Sequence, residues 1–183
     1  MSRREIIKTL LSLLADRGAR QRLSDGSTAL SDAVQCATLA RNAGATPELT
    51  SAALLHGIGS LLDDEANEGR PEWTGARYLA RWYPPAVTDP IRLHVAARRY
   101  LCATSPAYLE RLPGPARLDV QVRGGVMNRD EMVAFKSEPH FADALDLRRW
   151  KDQTDRVAVR SPPITDFAGE LLKAWRPALA EHS

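Results

Sequence analysis

The stretch Ala52-Ala53-Leu54-Leu55-His56-Gly57-Ile58-Gly59-Ser60 decides how this chain is read. It is an apolar run that carries one histidine and then two closely spaced glycines. Upstream, Thr46 is placed as an N-cap with Pro47 at the first helical position, so the run continues a helix through Leu55 toward Leu62. Glycine inside a helix costs about 1 kcal/mol relative to alanine, so Gly57 and Gly59 each need a packing or a site reason. On the residues alone, a single histidine on an apolar helix reads as a hydrogen-bonded core residue.

Helical periodicity extends outward from this run in both directions. Ile6, Ile7, Leu10, Leu11, Leu13 and Leu14 fit a 3.6-residue repeat that the polar stretch Asp16–Ser27 breaks. A helix over 29–41 is closed by Gly44. Downstream come a charged loop over 63–70, a helix over 73–82 stopped by Pro84-Pro85, and a helix from about Pro90 to Leu101 capped by Thr88 or Asp89. A short helix over 107–111 precedes a Pro/Gly stretch over 113–125. Asn128 with Glu131 forms a capping-box pattern, and Pro139 starts the helix of Leu145, Leu147 and Trp150. After Pro162-Pro163 a last helix ends near Trp175. No internal repeat or strand pair is present, and Asp119–Val122 is too short to count as one. The expectation is an all-α single domain over 1–183, with Trp73, Trp82, Trp150 and Trp175 in the core.

The chain has 183 residues, 44% hydrophobic and 26% charged, which suits one domain able to bury most of its unfolded surface. Lys and Arg number 25 against 23 Asp and Glu, a net charge of +2; Arg dominates the basic residues and lifts the pI to about 8.7. So weak a global field predicts neither nucleic acid nor an anionic membrane as partner. No apolar run approaches the ~20 residues of a membrane span, and Met1–Glu5 leads into an amphipathic segment containing Lys8, unlike a signal-peptide core. Cys36 and Cys102 show no metal or disulfide spacing, so both read as buried, reduced thiols of a cytoplasmic protein.

The 52–60 run resembles the Leu-Leu-His-Asp-Ile-Gly-His segment of HD-domain proteins, helical hydrolases and oxygenases in which adjacent His and Asp bind metal. Further segments follow in the family's order: Gln35-Cys36-Ala37, Gly75-Ala76-Arg77-Tyr78-Leu79, Ile91–Leu101 around His94, Gly124-Gly125-Val126-Met127 and Leu147-Arg148-Arg149-Trp150. Together they are similar to the di-iron HD oxygenases that cleave the carbon–phosphorus bond of 2-amino-1-hydroxyethylphosphonate and related hydroxyphosphonates. The resemblance is strongest over 25–155, with 1–24 an N-terminal helix and loop and 156–183 a helical extension. It implies a single HD-type helical bundle.

Carried over residue by residue, the family's metal ligands fall on Asp32, His56, Gly57, Pro71, His94 and Lys151. Only His56 and His94 keep the family's residue, and the bridging carboxylate has become Gly57. Substrate-contacting positions fall on Ser60, Arg98 and Arg123, and the gating Tyr and Glu on Arg22 and Asp25. Two close cations need bridging anionic oxygen and several further ligands. Gly57 and Pro71 offer no donor atom, and Lys151 brings a positive charge. These departures predict loss of the di-metal centre, with no cofactor expected.

Three functions then stand side by side. One is a metal-free pocket for an anionic or polar small molecule, in which His56 or His94 is a general base and Lys151 or Arg98 stabilises developing negative charge. Another is a non-catalytic protein binding a ligand or a related active partner as a homo- or hetero-oligomer. The last is a single Fe(II) held by Asp32, His56 and His94, to which Asp152 would contribute if its helix shifted. Lys151 has a bland alternative as a solvated helix charge, Asp32 as a surface charge or a partner of Arg98 or Lys151, and Arg99 reads as surface.

Overall fold

A computed structural model describes residues 1–62, 69–154 and 161–176; residues 63–68 of the expected charged loop, Asp155, and residues 156–160 and 177–183 of the expected helical extension lie outside them. Among the described residues ten α-helices build the fold, and the only extended pairing is an isolated bridge between Arg22 and Thr28. No described helix is long and apolar enough to cross a membrane.

Helix α1 (Arg3–Leu13) starts on a capping box between Ser2 and Glu5 and buries Ile6, Ile7, Leu10 and Leu11 along one stripe. A π-helical turn, Leu14–Gly18, carries it slightly past the expected break at Asp16. Helix α2 (Ala29–Asn42) is capped by Thr28 and ends before Gly44, whose φ of +73° is the left-handed turn expected of it. Helix α3 (Pro47–Leu55) has the predicted Thr46 cap and Pro47 start. It stops at Leu55 instead of reaching toward Leu62. His56 and Gly57 turn the chain into a short 3-10 turn, Ile58–Leu61. That turn presses onto α4 (Pro71–Leu79), where Gly59 lies backbone to backbone against Pro71 and Gly75.

Two helices differ from the sequence expectation. Helix α5 spans Pro85–Thr104 and contains Pro90 instead of beginning there. Pro85 serves as the N-terminal proline, and burial of Val87, Thr88, Pro90 and Ile91 offsets the one helix hydrogen bond that Pro90 cannot make. After α6 (Pro106–Arg111), the Pro/Gly stretch contains helix α7 (Gly114–Val122). Pro115 in its first turn has no N–H to leave unpaired, so a proline that looked like a breaker is a starter. Helix α8 (Arg129–Lys136) begins at the predicted Asn128–Glu131 capping box, followed by α9 (Phe141–Thr154), a 3-10 turn and α10 (Ala168–Lys173).

Helix α5 lies centrally, packed along α9, α4 and α3, while α2 packs on α3 and α9, and α10 closes over α3 and α1. The main core includes Leu10, Leu14, Leu54, Leu55, Ile58, Leu79, Ile91, Leu147 and Phe167, and a second cluster gathers Leu93, Ala97, Leu101, Phe135 and Leu145. Trp82, Trp150 and Trp175 pack on the core, but Trp73 is 47% exposed under the Arg92 guanidinium. Arg99, expected on the surface, is largely buried and clasps the carbonyls of Gly124 and Gly125. Both cysteines are buried and free; burial pushes each thiol up, so neither is a ready nucleophile.

Candidate functional site

Where α2, α4, α5 and α9 converge on the end of α3, a small cavity of about 170 Å³ remains. It lies below the ~300–1,000 Å³ of pockets for drug-sized ligands, so it suits a molecule of few heavy atoms. One wall is built on Asp32, buried on α2. Its Oδ1 accepts from Lys151 Nζ at 2.7 Å and from Thr154 Oγ1 at 2.6 Å, and its Oδ2 faces His56 Nε2 at 3.1 Å. Lys151 and Thr154 share one face of α9. Burial alone would raise the Asp32 carboxyl, but the hydrogen bonds and charges of His56 and Lys151 outweigh it and hold the group well below the usual carboxylate range.

The two histidines have different hydrogen-bond roles. His56 Nδ1 faces the Ala53 carbonyl at 2.8 Å while Nε2 faces Asp32. Both ring nitrogens of His56 are therefore engaged by oxygen atoms of the protein. His94 Nδ1 donates to the Ile91 carbonyl at 2.7 Å. Burial first, with the positive charges of His56 and Arg148 added, holds His94 well below the ordinary histidine range, so its ring is neutral. Its Nε2 therefore carries a lone pair, with no hydrogen bond among the described residues, on a residue that lines the cavity. The rings meet edge to face, centroids 5.6 Å apart.

The far wall holds Glu72, in the first turn of α4, and Arg123, the residue closing α7. Arg123 Nη1 donates to Glu72 Oε1 at 3.1 Å and its Nε to Asp119 Oδ1 at 2.9 Å. Asp32, His56, Gly57, Pro71, His94 and Lys151, the positions the resemblance assigns to metal ligands, all line this one cavity, as do Ser60 and Arg123. Arg98, Arg22 and Asp25 do not line it. Arg98 turns instead to Asp119 and Asp152, Arg22 donates to the Gly26 carbonyl, and Asp25 accepts from Ser27. Asp152 is held by Arg148, Arg98 and Tyr108, away from the cavity. Glu72 and Thr154 carried no sequence signal. Each completes the site only through a partner distant in sequence.

The two glycines of the opening run have different reasons. A Cβ on Gly57 would meet nothing within 4 Å, at ordinary backbone angles of φ −91° and ψ 0°. Gly57→Ala is therefore expected to leave the thermal midpoint unchanged or to raise stability by up to ~1 kcal/mol; scanning calorimetry checks this, and a clear loss would contradict it.

Fold and cavity thus define an all-helical domain with a small, charged, central site. Its donor set does not suit a pair of cations. Gly57 and Pro71 supply no ligand atom, the Lys151 ammonium already occupies Asp32 Oδ1, and both nitrogens of His56 are engaged by protein oxygens. Among the described residues, no three His, Cys, Asp or Glu side chains are grouped to hold a metal ion.

Comparison with known proteins gives the family. No family model matches the chain. It is 36% identical over 176 residues to a hydroxymethylphosphonate dioxygenase of Gimesia maris, covering 91% of this chain and 87% of that protein. It is 30% identical over 175 residues to a [1-hydroxy-2-(trimethylamino)ethyl]phosphonate dioxygenase (glycine-betaine-forming) of Leisingera caerulea, covering 92% and 89%. An uncharacterized protein of Acanthamoeba polyphaga mimivirus is 27% identical over 176 residues. The chain belongs to this HD-domain, phosphonate dioxygenase-like family.

Proposed function

We propose that this family member works without a metal centre, as a pocket for a small anionic or polar metabolite. The observation that carries the reading is the 2.7 Å bond between Lys151 Nζ and Asp32 Oδ1. It sets a tethered ammonium, a compact point charge, at a position the family gives to a metal ligand. Lys151 and Arg123 both line the cavity, and Arg123 Nη2 makes no hydrogen bond among the described residues, so the site offers cationic donors to an anion. His94 is the cavity histidine whose Nε2 has no hydrogen bond among the described residues, which leaves its lone pair to accept a proton. A proton leaving a C–H or O–H of the bound molecule would pass to His94 Nε2, and Lys151 or Arg123 would balance the charge left on the ligand. That is the chemistry of an isomerase, lyase, cyclase or hydrolase step. It consumes no oxidant.

The names of the relatives favour a second reading, retained iron chemistry on a phosphonate. One experiment separates the two. Protein from iron-supplemented cells is analysed for metal and then titrated calorimetrically with hydroxymethylphosphonate, with and without chelator. The metal-free reading expects iron far below one ion per chain, binding indifferent to chelator, and at least about tenfold weaker binding in Lys151→Met, the weight of one charge-assisted hydrogen bond. Stoichiometric iron that chelator removes together with binding overturns it.

A further inference from the structure

Arg123 reaches the cavity from a lightly held element. Helix α7 buries only Val120, in a small cluster with Cys102 and Leu112, while Leu118 and Val122 stand 60% and 78% exposed. Ala116 packs partly buried on the same cluster, and the ties beyond it are polar: Arg98 to Asp119, Arg99 to the carbonyls of Gly124 and Gly125, and Arg123 to Glu72. The last of these ties joins two residues of the cavity wall. Just beyond Arg123, Gly124 and Gly125 have φ of +103° and +77°, a left-handed turn that side chains rarely adopt.

Glu72 is built to hold that tie. It is 5% exposed and sits in the first turn of α4, where the helix dipole favours a carboxylate. Oε1 takes Arg123, but Oε2 is buried with no hydrogen-bond partner among the described residues. A half-satisfied buried carboxylate is a burden on stability, so its presence calls for another reason. Arg123 supplies one. Its Nε is held by Asp119 and its Nη1 by Glu72, which fixes the guanidinium plane. Its Nη2 makes no hydrogen bond among the described residues. A guanidinium fixed in this way loses less freedom when an anion docks.

We propose that Glu72 is the positioning residue of the anion site, holding Arg123, and through it helix α7, at the cavity wall. This inference rests on the anion-pocket reading above.

The test uses the full chain, methylphosphonate as probe, and the variants Glu72→Gln, Arg123→Gln and the double variant. Arg123→Gln is expected to weaken methylphosphonate about tenfold or more, and Glu72→Gln about fivefold. Glu72→Gln should add nothing in the Arg123→Gln background, because it acts through that residue. Without any probe, Glu72→Gln should speed amide exchange across 114–125 while the thermal midpoint holds or rises, whereas a purely structural role would lower the midpoint. Additive effects of the two substitutions, or unchanged affinity and exchange in Glu72→Gln while Arg123→Gln weakens the probe, overturn the proposal. If methylphosphonate does not bind the wild type, or neither Arg123→Gln nor Lys151→Met weakens it, the anion-pocket reading fails. The exchange measurement then decides alone: faster exchange supports Glu72's hold on α7 and unchanged exchange overturns it.

Discussion

Asp32→Asn is expected to destabilise the fold at pH 7 by about 3–5 kcal/mol, as breaking a buried ion pair from one side does. The Asp32 side chain is 6% exposed and is the only anion in contact with both Lys151 and His56 among the described hydrogen bonds. An amide keeps the shape but removes the charge that Lys151 and His56 share at this buried position. The effect has a pH signature. The carboxyl is held below its unfolded value near 3.9, so its contribution is fully present above about pH 4 and is lost as pH falls from there toward the native value. Urea unfolding of wild type and variant at pH 7, 5 and 3 should therefore show a wide gap at the first two and a narrowing one at the last. A gap under ~1 kcal/mol at pH 7 would count against the ion-pair account.

The sequence made some parts of this molecule legible and hid others, for reasons that can be named. Thr46-Pro47, Gly44 and the Asn128–Glu131 box marked helix ends because capping is local chemistry, written within four residues. Proline is ambiguous in sequence: at α5 the starter is Pro85 and Pro90 is tolerated in the buried interior, and in the Pro/Gly stretch Pro115 sits in the first turn of α7. In the site, the family resemblance brought Asp32, His56, Ser60, His94, Arg123 and Lys151 to one cavity, including a pair 119 residues apart. Arg98 shows where spacing runs out. It sits four residues after His94 and so shares its helix face, yet its long side chain turns to Asp119 and Asp152, carboxylates supplied by α7 and α9. Glu72 was invisible for the same reason: its meaning lies in Arg123, 51 residues away. Local pattern fixes which face a residue occupies, while tertiary partners decide what a long polar side chain does there.

Gly59→Ala is expected to be the sharpest packing lesion in the chain, in contrast to the tolerated Gly57→Ala two residues earlier. A Cβ at Gly59 would fall 1.9 Å from the Pro71 carbonyl oxygen, 2.7 Å from Gly75 N and 2.8 Å from the Pro71 carbonyl carbon. All three are backbone atoms, so no flexible side chain can swing aside. Gly75 faces the same contact from the other side, where an added Cβ would meet Gly59 N at 3.0 Å. The 3-10 turn and the first turn of α4 must therefore separate. Overpacking typically costs 1–3 kcal/mol and sometimes more; a backbone-on-backbone clash this deep belongs at about 3 kcal/mol or above. At the ~2–4 °C per kcal/mol usual for a domain of this size, the thermal midpoint should fall by roughly 6–12 °C. The damage would not stop at stability. Separating these turns moves Ser60 on one side and Pro71 and Glu72 on the other, all of which line the cavity, so the folded fraction should also bind methylphosphonate more weakly than Gly57→Ala does. A Gly59→Ala midpoint within about 2 °C of wild type would show that the two backbones can part without loss, and the close approach could then no longer be the reason for glycine at this position.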